Sequence, residues 1–208
     1  MPRAQRKTAP KVRDGRAVRK NRWALTPHYR QTRTARTVLD RCRPPRGFRH
    51  YLTLADLRRF LELLPDWEAL SANLDAVALG GDGTAHGWYD WDGGPDGGGI
   101  AAVGPWERDP RVRWDAAFAA DHAAVLDRLD VPRTPAADGT GEVLCGFTPP
   151  TVRGFQLMHV LLHELGHHAD RMATRSKLDC ARGEAYAEAW AVRRAEGLWD
   201  DYFRHVHR

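Results

Sequence analysis

Two histidines and a glutamate in segment 163–167 have the types and the spacing of a catalytic metal site. The segment reads HELGH, with His163 and His167 four residues apart and Glu164 directly after the first histidine. Residues four apart on a helix lie one turn apart on the same face, so both imidazoles can bind one metal ion. Glu164 is then close enough to hold a water molecule on that ion. The pattern predicts a zinc hydrolase with Zn²⁺ as cofactor and Glu164 as general base.

The residues around this motif favour a metal site over a pair of solvated histidines. The apolar run 157–162 precedes the motif and predicts a buried helix, in which unpaired polar side chains would be destabilising. Gly166 interrupts that helix at a cost of about 1 kcal/mol relative to alanine. Its small size predicts that another part of the chain approaches the helix closely there. The alternative is an amphipathic helix whose histidines face solvent.

A second helix is predicted to supply the third protein ligand that a catalytic zinc ion usually takes. Segment 183–191 reads GEAYAEAWA and places Glu184 and Glu188 on one helical face. One carboxylate would bind the metal, and the other would accept the ring N–H of a ligand histidine. The alternative is an exposed acidic pair on a surface helix, although the small and aromatic neighbours are typical of a packed helix. The spacing leaves open which glutamate is the ligand.

The motif HELGHHAD followed by EAYAEAW resembles the gluzincins, which are the zincin metallopeptidases whose third ligand is a glutamate. Over roughly residues 154–194 it is similar to the family of the anthrax lethal factor catalytic domain. The resemblance implies three zinc ligands, His163, His167 and Glu184. It also implies Glu164 as general base and Glu188 as the partner of a ligand histidine. The interval from His167 to Glu184 is short for a gluzincin, so Glu188 remains the alternative ligand.

Charge is divided unevenly along the chain. The 208 residues have a formal net charge of +5, but residues 1–50 contain 16 of the 32 lysines and arginines and only two acids. Residues 1–47 also show little apolar periodicity, so they cannot bury enough surface to offset ordering. The sequence therefore predicts a basic, mostly disordered arm at 1–47 and a single domain at 48–208.

Three roles compete for this basic arm. Its lysines and arginines can bind nucleic acid by neutralising phosphates. An Arg-rich, acid-poor segment is also typical of a targeting peptide. The third possibility is a solvated tail that docks on the acidic remainder of the chain. The sequence does not decide between them.

Other features of the composition predict a cytoplasmic protein without a membrane span. The three cysteines are scattered along the chain and form no disulfide framework. No apolar run approaches the roughly 18 residues that a membrane helix needs. The N-terminal residues lack the apolar core of a secretory signal.

The order of the predicted elements is typical of an α+β domain. A helix begins after Thr53, which forms a capping box with Asp56. The other predicted elements are a hairpin of strands 76–79 and 85–91, a strand at 100–103, a helix at 112–129, a strand at 143–147, the motif helix to about residue 172, the glutamate helix at 183–197 and a tail at 198–208. A minimal zincin-like domain would pack a small mixed or antiparallel sheet on the two site helices. By resemblance an edge strand binds the substrate backbone, and strand 100–103 or 143–147 is the predicted edge.

The predicted reaction is hydrolysis of a peptide bond in a protein or peptide substrate. Bound zinc lowers the pKa of its water from about 15.7 toward about 7, and Glu164 would carry the released proton to the leaving amine. A donor for the developing oxyanion is expected among Tyr186, His122, His205 and His207.

Two polar residues next to the motif also have predicted roles. His168 is expected to face solvent, while Asp170 would orient a ligand imidazole or form an ion pair with Arg171 or Arg153. The alternative function is a nucleic-acid-associated protein that binds through residues 1–47, with the zinc site serving local proteolysis or structure. A non-catalytic metal protein is less well supported, because a structural site needs no base and normally has four protein ligands.

Overall fold

The computed structural model describes residues 37–91, 98–173 and 182–206, together with the backbone of two short strands nearer the N-terminus. These two strands are β1 (Lys11–Arg13) and β2 (Arg16–Val18), which pair in antiparallel. Apart from these two strands, residues 1–36 are outside the part of the chain that the structure describes. The predicted disorder of the arm and its predicted contacts with nucleic acid fall in that segment. Binding of nucleic acid by residues 1–47 therefore stays a prediction from charge.

Helices and small sheets alternate along the described chain. Its further strands are β3 (Val38–Arg41), β4 (Phe48–Arg49), β5 (Leu74–Leu79), β6 (Gly87–Asp90), β7 (Gly99–Val103), β8 (Trp106–Glu107), β9 (Val112–Asp115), β10 (Arg133–Pro135) and β11 (Glu142–Cys145). Its helices are α1 (Leu54–Glu62), α2 (Trp67–Leu70), α3 (Ala116–Asp121), α4 (Ala123–Arg128), α5 (Pro149–Phe155), α6 (Leu162–Ala173), α7 (Glu184–Glu196) and α8 (Trp199–His205). The predicted α+β class is confirmed.

The central sheet has four strands in the order β3-β5-β7-β6. Strands β3, β5 and β7 are parallel, whereas β6 pairs with β7 in antiparallel. Strands β5 and β7 are buried along nearly their whole length, so both are apolar in sequence apart from the half-buried Asp75 of β5. Strand β3 precedes residue 48, at which the sequence predicted the domain to begin. That boundary is wrong because a four-residue strand in an Arg-rich segment gives too short an apolar pattern to recognise.

Strand pairing also corrects two predictions about neighbours in the sheets. Strand β6 forms no hairpin with β5, because both sides of β5 are occupied by parallel partners. Strand β7 lies between β5 and β6, and β11 is the middle strand of the antiparallel sheet β10-β11-β9. Neither is the edge that was predicted to bind substrate. An apolar run indicates a strand but does not specify its partners. Among the described strands, β3 and β6 lie at the two edges of the central sheet.

Residues 112–128 form a strand and two short helices, where the sequence predicted one helix over 112–129. Strand β9 pairs with β11, and Asp115 then accepts hydrogen bonds from the N–H groups of Ala117 and Phe118. This cap begins α3, since an aspartate at the N-cap satisfies amide groups that have no partner within the helix. The capping box of Thr53 and Asp56 at α1 is confirmed.

The longest helix of the described chain carries the HELGH motif. Helix α5 begins at the N-cap Thr148, whose side chain forms a capping box with Thr151. A π-helical segment (Gln156–Leu161), with every residue buried, joins α5 to α6 without a break in the helical backbone. Such π turns often occur at functional sites. Helix α6 ends at Ala173, one residue beyond the predicted end.

The C-terminal helices pack against the continuous helical segment of residues 149–173, the central helix, with Ala187 close to Gly166 and Tyr202 close to Gly154. Helix α7 matches the predicted glutamate helix within one residue at each end. The predicted tail is wrong, because α8 buries Trp199 and Tyr202 in the core. Among the described residues, no helix combines the length and the apolar character required to cross a membrane.

Candidate metal centre

The motif histidines point toward each other from successive turns of α6. His163 Nε2 and His167 Nε2 are 3.1 Å apart. Their side chains are largely buried, with 18% and 7% of their surface exposed. Residues 162–173 form a regular α-helix, as the motif predicted, so both imidazoles project from one face of it.

Helix α7 brings both glutamates to the same histidine, on opposite sides of its ring. Glu184 Oε2 lies 3.0 Å from His163 Nε2 and 3.5 Å from His167 Nε2. Glu188 Oε2 lies 3.1 Å from His163 Nδ1. Glu184 therefore faces the nitrogens that converge between the histidines, whereas Glu188 holds the outer nitrogen of one of them.

The three converging atoms fit the ligand set of a zinc ion. Ligand atoms about 2.0–2.2 Å from a tetrahedral zinc ion are roughly 3.3–3.6 Å apart. The observed separations of 3.1, 3.0 and 3.5 Å are close to that range. Two imidazole nitrogens and a carboxylate oxygen this close together concentrate electron density that a divalent cation would stabilise. Within the described residues, His163, His167 and Glu184 form the one group of His, Cys, Asp or Glu side chains close enough to hold a metal.

Glu164 is buried beside this group and faces β6, which is one of the two edge strands of the central sheet. It is 7% exposed, and burial raises the pKa of its carboxyl group to about 8, with the positive charge of His163 opposing that shift. A Cβ atom at Gly87 of β6 would lie 2.7 Å from Glu164 Oε1 and 2.6 Å from Val160 Cγ1. Only glycine allows the strand to approach the carboxyl group so closely. Sequence reasoning missed Gly87; a glycine within a strand pattern is the signal that indicates a close approach.

The electrostatic environment distinguishes the two histidines. Burial lowers the pKa of His163, but the hydrogen bond to Glu188 and the charges of Glu164 and Glu184 outweigh it, so the pKa is raised overall. For His167 burial prevails and the pKa is lowered. The hydrogen bond from His163 in turn lowers the pKa of Glu188. The site thus holds Glu188 as a carboxylate that orients His163.

Close contact between the two site helices sets their separation. A Cβ at Gly166 would lie 2.9 Å from both the Cα and the carbonyl oxygen of Ala187. These are backbone atoms that cannot rotate away, so α7 can lie at its observed distance from α6 only if residue 166 is glycine. The sequence predicted such a close approach at Gly166.

A cleft of about 910 Å³ opens in front of the candidate centre. Its near wall is formed by the site residues and by β6. Its other wall is lined by aromatic and imidazole side chains, His86, Phe118, His122, Phe155 and His159, together with Asp121. Burial lowers the pKa values of His86 and His159 to about 4, so both are neutral at pH 7. These two imidazoles therefore add no positive charge to the cleft at pH 7.

Several residues near the motif have partners other than those predicted. His168 is fully buried, with its ring nitrogens 2.9 Å from the hydroxyl group of Tyr89 and 3.0 Å from the carbonyl oxygen of Ala72. It does not face solvent, because the sheet and the loop after α2 cover this side of α6. Asp170 forms its ion pair with Arg182 rather than with Arg171 or Arg153. The sequence spacing could not show this, since Arg182 returns to Asp170 from beyond the helix end.

Of the four predicted oxyanion donors, His122 lines the cleft. Tyr186 stacks against Arg182, whose guanidinium carbon lies 3.6 Å from the centre of the tyrosine ring. His205 is exposed on α8, and His207 lies outside the described residues. The ring of His122 lies 4.5 Å from that of His159, and His159 Nε2 in turn lies 3.8 Å from Glu188 Oε2.

The residues of the candidate centre come from three separate parts of the chain, namely strand β6, the central helix and α7. They converge on one cleft although more than 70 residues separate Gly87 from Glu164. Comparisons of the chain with models of known protein families, with curated proteins and with solved structures find no match.

Proposed function

We propose that this chain is a zinc-dependent peptidase of zincin type. His163, His167 and Glu184 would bind Zn²⁺, Glu164 would act as general base, and Glu188 would orient His163. One observation carries the proposal. Three potential ligand atoms converge within 3.5 Å of one another, and the buried carboxyl group of Glu164 lies beside them. A structural zinc site would normally have four protein ligands and would need no such neighbour.

The chain's own residues supply the proton transfers of peptide hydrolysis. Zinc, when bound, would lower the pKa of water and polarise the substrate carbonyl group. Glu164 would take the proton from the attacking water and deliver it to the leaving amine nitrogen. General bases act best when their pKa lies near the working pH, and burial moves the pKa of Glu164 in that direction.

The shape of the site supports an extended peptide as substrate. Strand β6 ends the central sheet in the described part of the chain, and Gly87, Trp88 and Tyr89 of this strand line the cleft. A peptide lying along β6 would pass the Glu164 carboxyl group, because Gly87 leaves no side chain between them. The aromatic and imidazole wall opposite would accept an apolar or aromatic side chain of that peptide. His122 on this wall is the candidate donor to the oxyanion.

Metal content and hydrolysis together test the proposal. Elemental mass spectrometry of the purified protein should find about one zinc ion per chain, and His163→Ala should lose it. His205→Ala is the matched control, because this exposed histidine lies on α8 away from the cleft. The zinc-loaded protein should then cleave members of a peptide library. Absence of zinc from the wild type, even after zinc is added back, would refute the proposal.

A further inference from the structure

The start of α7 is held by one buried carboxylate of the central helix. Asp170 has no exposed surface and accepts hydrogen bonds from the backbone N–H groups of Arg182 at 2.8 Å and Gly183 at 3.3 Å. Its second oxygen accepts from Arg182 Nε at 2.6 Å. Burial by itself would raise the pKa of Asp170, but these bonds lower it overall. Asp170 is therefore an ionised anchor for the two residues that immediately precede Glu184.

Glu184 depends on such an anchor because, apart from the contacts of its carboxylate with the two histidines, its side chain lies largely in solvent. It is the first residue of α7, and 82% of its side chain is exposed. The preceding Gly183 supplies no capping side chain and has φ 73° and ψ −157°, a conformation that essentially only glycine adopts. A Cβ at Gly183 would meet no atom within 4 Å. The glycine is thus required for backbone conformation and not for space, and its orientation depends on what binds its N–H group.

Two other contacts hold α7 further along the helix. Gly166 and Ala187 touch one turn into the helix, and Arg194 forms an ion pair with Asp66 near the far end. Asp170 lies three residues after His167 on the same helix. Its hydrogen bonds therefore link the backbone that carries the histidines directly to the backbone that carries Glu184.

We propose that Asp170 is a positioning residue that sets the zinc affinity of the centre by fixing the backbone at Glu184. This inference rests on the proposed function, in which Glu184 is the third ligand. Asp170 acts through Arg182 and Gly183 and does not itself bind the metal. Loss of a partner that orients a metal ligand typically weakens metal affinity about 10- to 100-fold, and Asp170→Asn should have an effect of this size.

A double-mutant cycle tests the link between Asp170 and Glu184. The zinc dissociation constant would be measured by competition with a chromophoric chelator for the wild type, Asp170→Asn, Glu184→Ala and the double variant. Asp170→Asn should weaken zinc binding about 10- to 100-fold in the wild-type background. It should change the affinity less than about 2-fold in the Glu184→Ala background, because the ligand that it positions is then absent.

Asp66→Asn is the matched control, since it removes an ion pair near the other end of the same helix. It should lower the Tm of the zinc-free protein but leave the zinc affinity within about 2-fold of wild type. Equal weakening by Asp170→Asn in both backgrounds would overturn the inference. So would a lower Tm with an unchanged zinc affinity, because Asp170 would then be a structural ion pair and nothing more.

A second variant keeps the inference testable if Asp170→Asn does not fold. Arg182→Gln retains the Asp170 carboxylate and both backbone hydrogen bonds, and removes the guanidinium bond to Asp170 together with the stacking on Tyr186. It should weaken zinc binding by about 10-fold, the lower end of the range expected for Asp170→Asn, and an unchanged affinity would contradict the inference. A wild-type protein that binds no zinc would refute the proposed function itself. Zinc binding that is insensitive to both variants would refute only the role of Asp170.

Discussion

The two halves of the candidate centre are positioned by different means. His163 and His167 belong to an uninterrupted helix in the core, so the geometry of one helix sets their spacing. Glu184 begins a separate helix with an exposed side chain, and its place depends on contacts at Gly166 and Asp170. The histidine half is therefore local and rigid, whereas the glutamate half is assembled by tertiary structure. The glutamate half should be the easier one to disturb.

The largest effect is expected at Glu164, the proposed general base. Glu164→Gln should lower kcat for peptide hydrolysis by about 10²- to 10⁴-fold, because the amide cannot accept the proton of the attacking water. Zinc content should stay near wild type, since Glu164 is not one of the three converging groups. Both quantities would be measured on the same preparation. Loss of zinc together with activity would indicate a ligand role instead.

The two glutamates of α7 should differ in their effects on metal affinity. Glu184→Ala removes an atom that faces both histidines, so most of the bound zinc should be lost. Glu188→Ala removes only the partner of His163 Nδ1 and should weaken binding about 10- to 100-fold. Competition titration with a chelator would rank the two variants. The reverse order would make Glu188 the ligand and shift the assignment by one helical turn.

The burial of His86 in the wall of the cleft should make the stability of the protein depend on pH. Burial, assisted by His122, lowers the pKa of His86 from 6.5 to about 4. The unfolded chain binds this proton at the higher pH, so stability is greatest above pH 6.5 and declines as the pH falls toward 4. The decline attributable to His86 is up to about 3 kcal/mol.

Chemical denaturation of the zinc-free protein would measure this contribution. His86→Phe keeps a ring among the neighbouring aromatic side chains and should reduce the pH dependence between about 6.5 and 4. The contribution of His159, whose pKa is also lowered to about 4, should remain. His205→Phe, at an exposed position, should leave the dependence unchanged. If the two variants gave the same slope as wild type, the imidazole of His86 would have to be accessible to protons in the folded state.

The smallest predicted effect concerns the contact between the two site helices. Gly166→Ala places a methyl group against the backbone of Ala187 and should destabilise the protein by about 1–3 kcal/mol. Gly197→Ala is the matched control, because the nearest atom to its Cβ would be 3.8 Å away and its φ of −80° suits alanine. It should be neutral or stabilise the protein by about 0.4–1 kcal/mol. Equal free energies of unfolding for the two variants would mean that the helices can separate without loss.

Much of what lies within single elements could be predicted from the sequence. The capping box of Thr53 and the two site helices depend on residues a few positions apart. The glycine at 166 indicated a close approach to its helix, but it did not indicate that Ala187 would be the partner. Pairing between strands could not be predicted in the same way. Strand β6 was assigned to the wrong neighbour, and β7 and β11 were predicted as edge strands although both lie inside their sheets, because a short apolar run is compatible with several partners. Helix α8 was missed for a related reason, since its buried face becomes evident only against the central helix.

The sequence by itself determined the chemistry of the candidate centre: the residue types, and the single helical face that His163 and His167 share. Helical geometry is local, and four residues are enough to specify it. Only the tertiary structure decided that Glu184 faces both histidines, that Gly87 lies against Glu164 and that Asp170 anchors the start of α7. These contacts join segments far apart in the chain, and their geometry depends on how the sheet and the helices pack together.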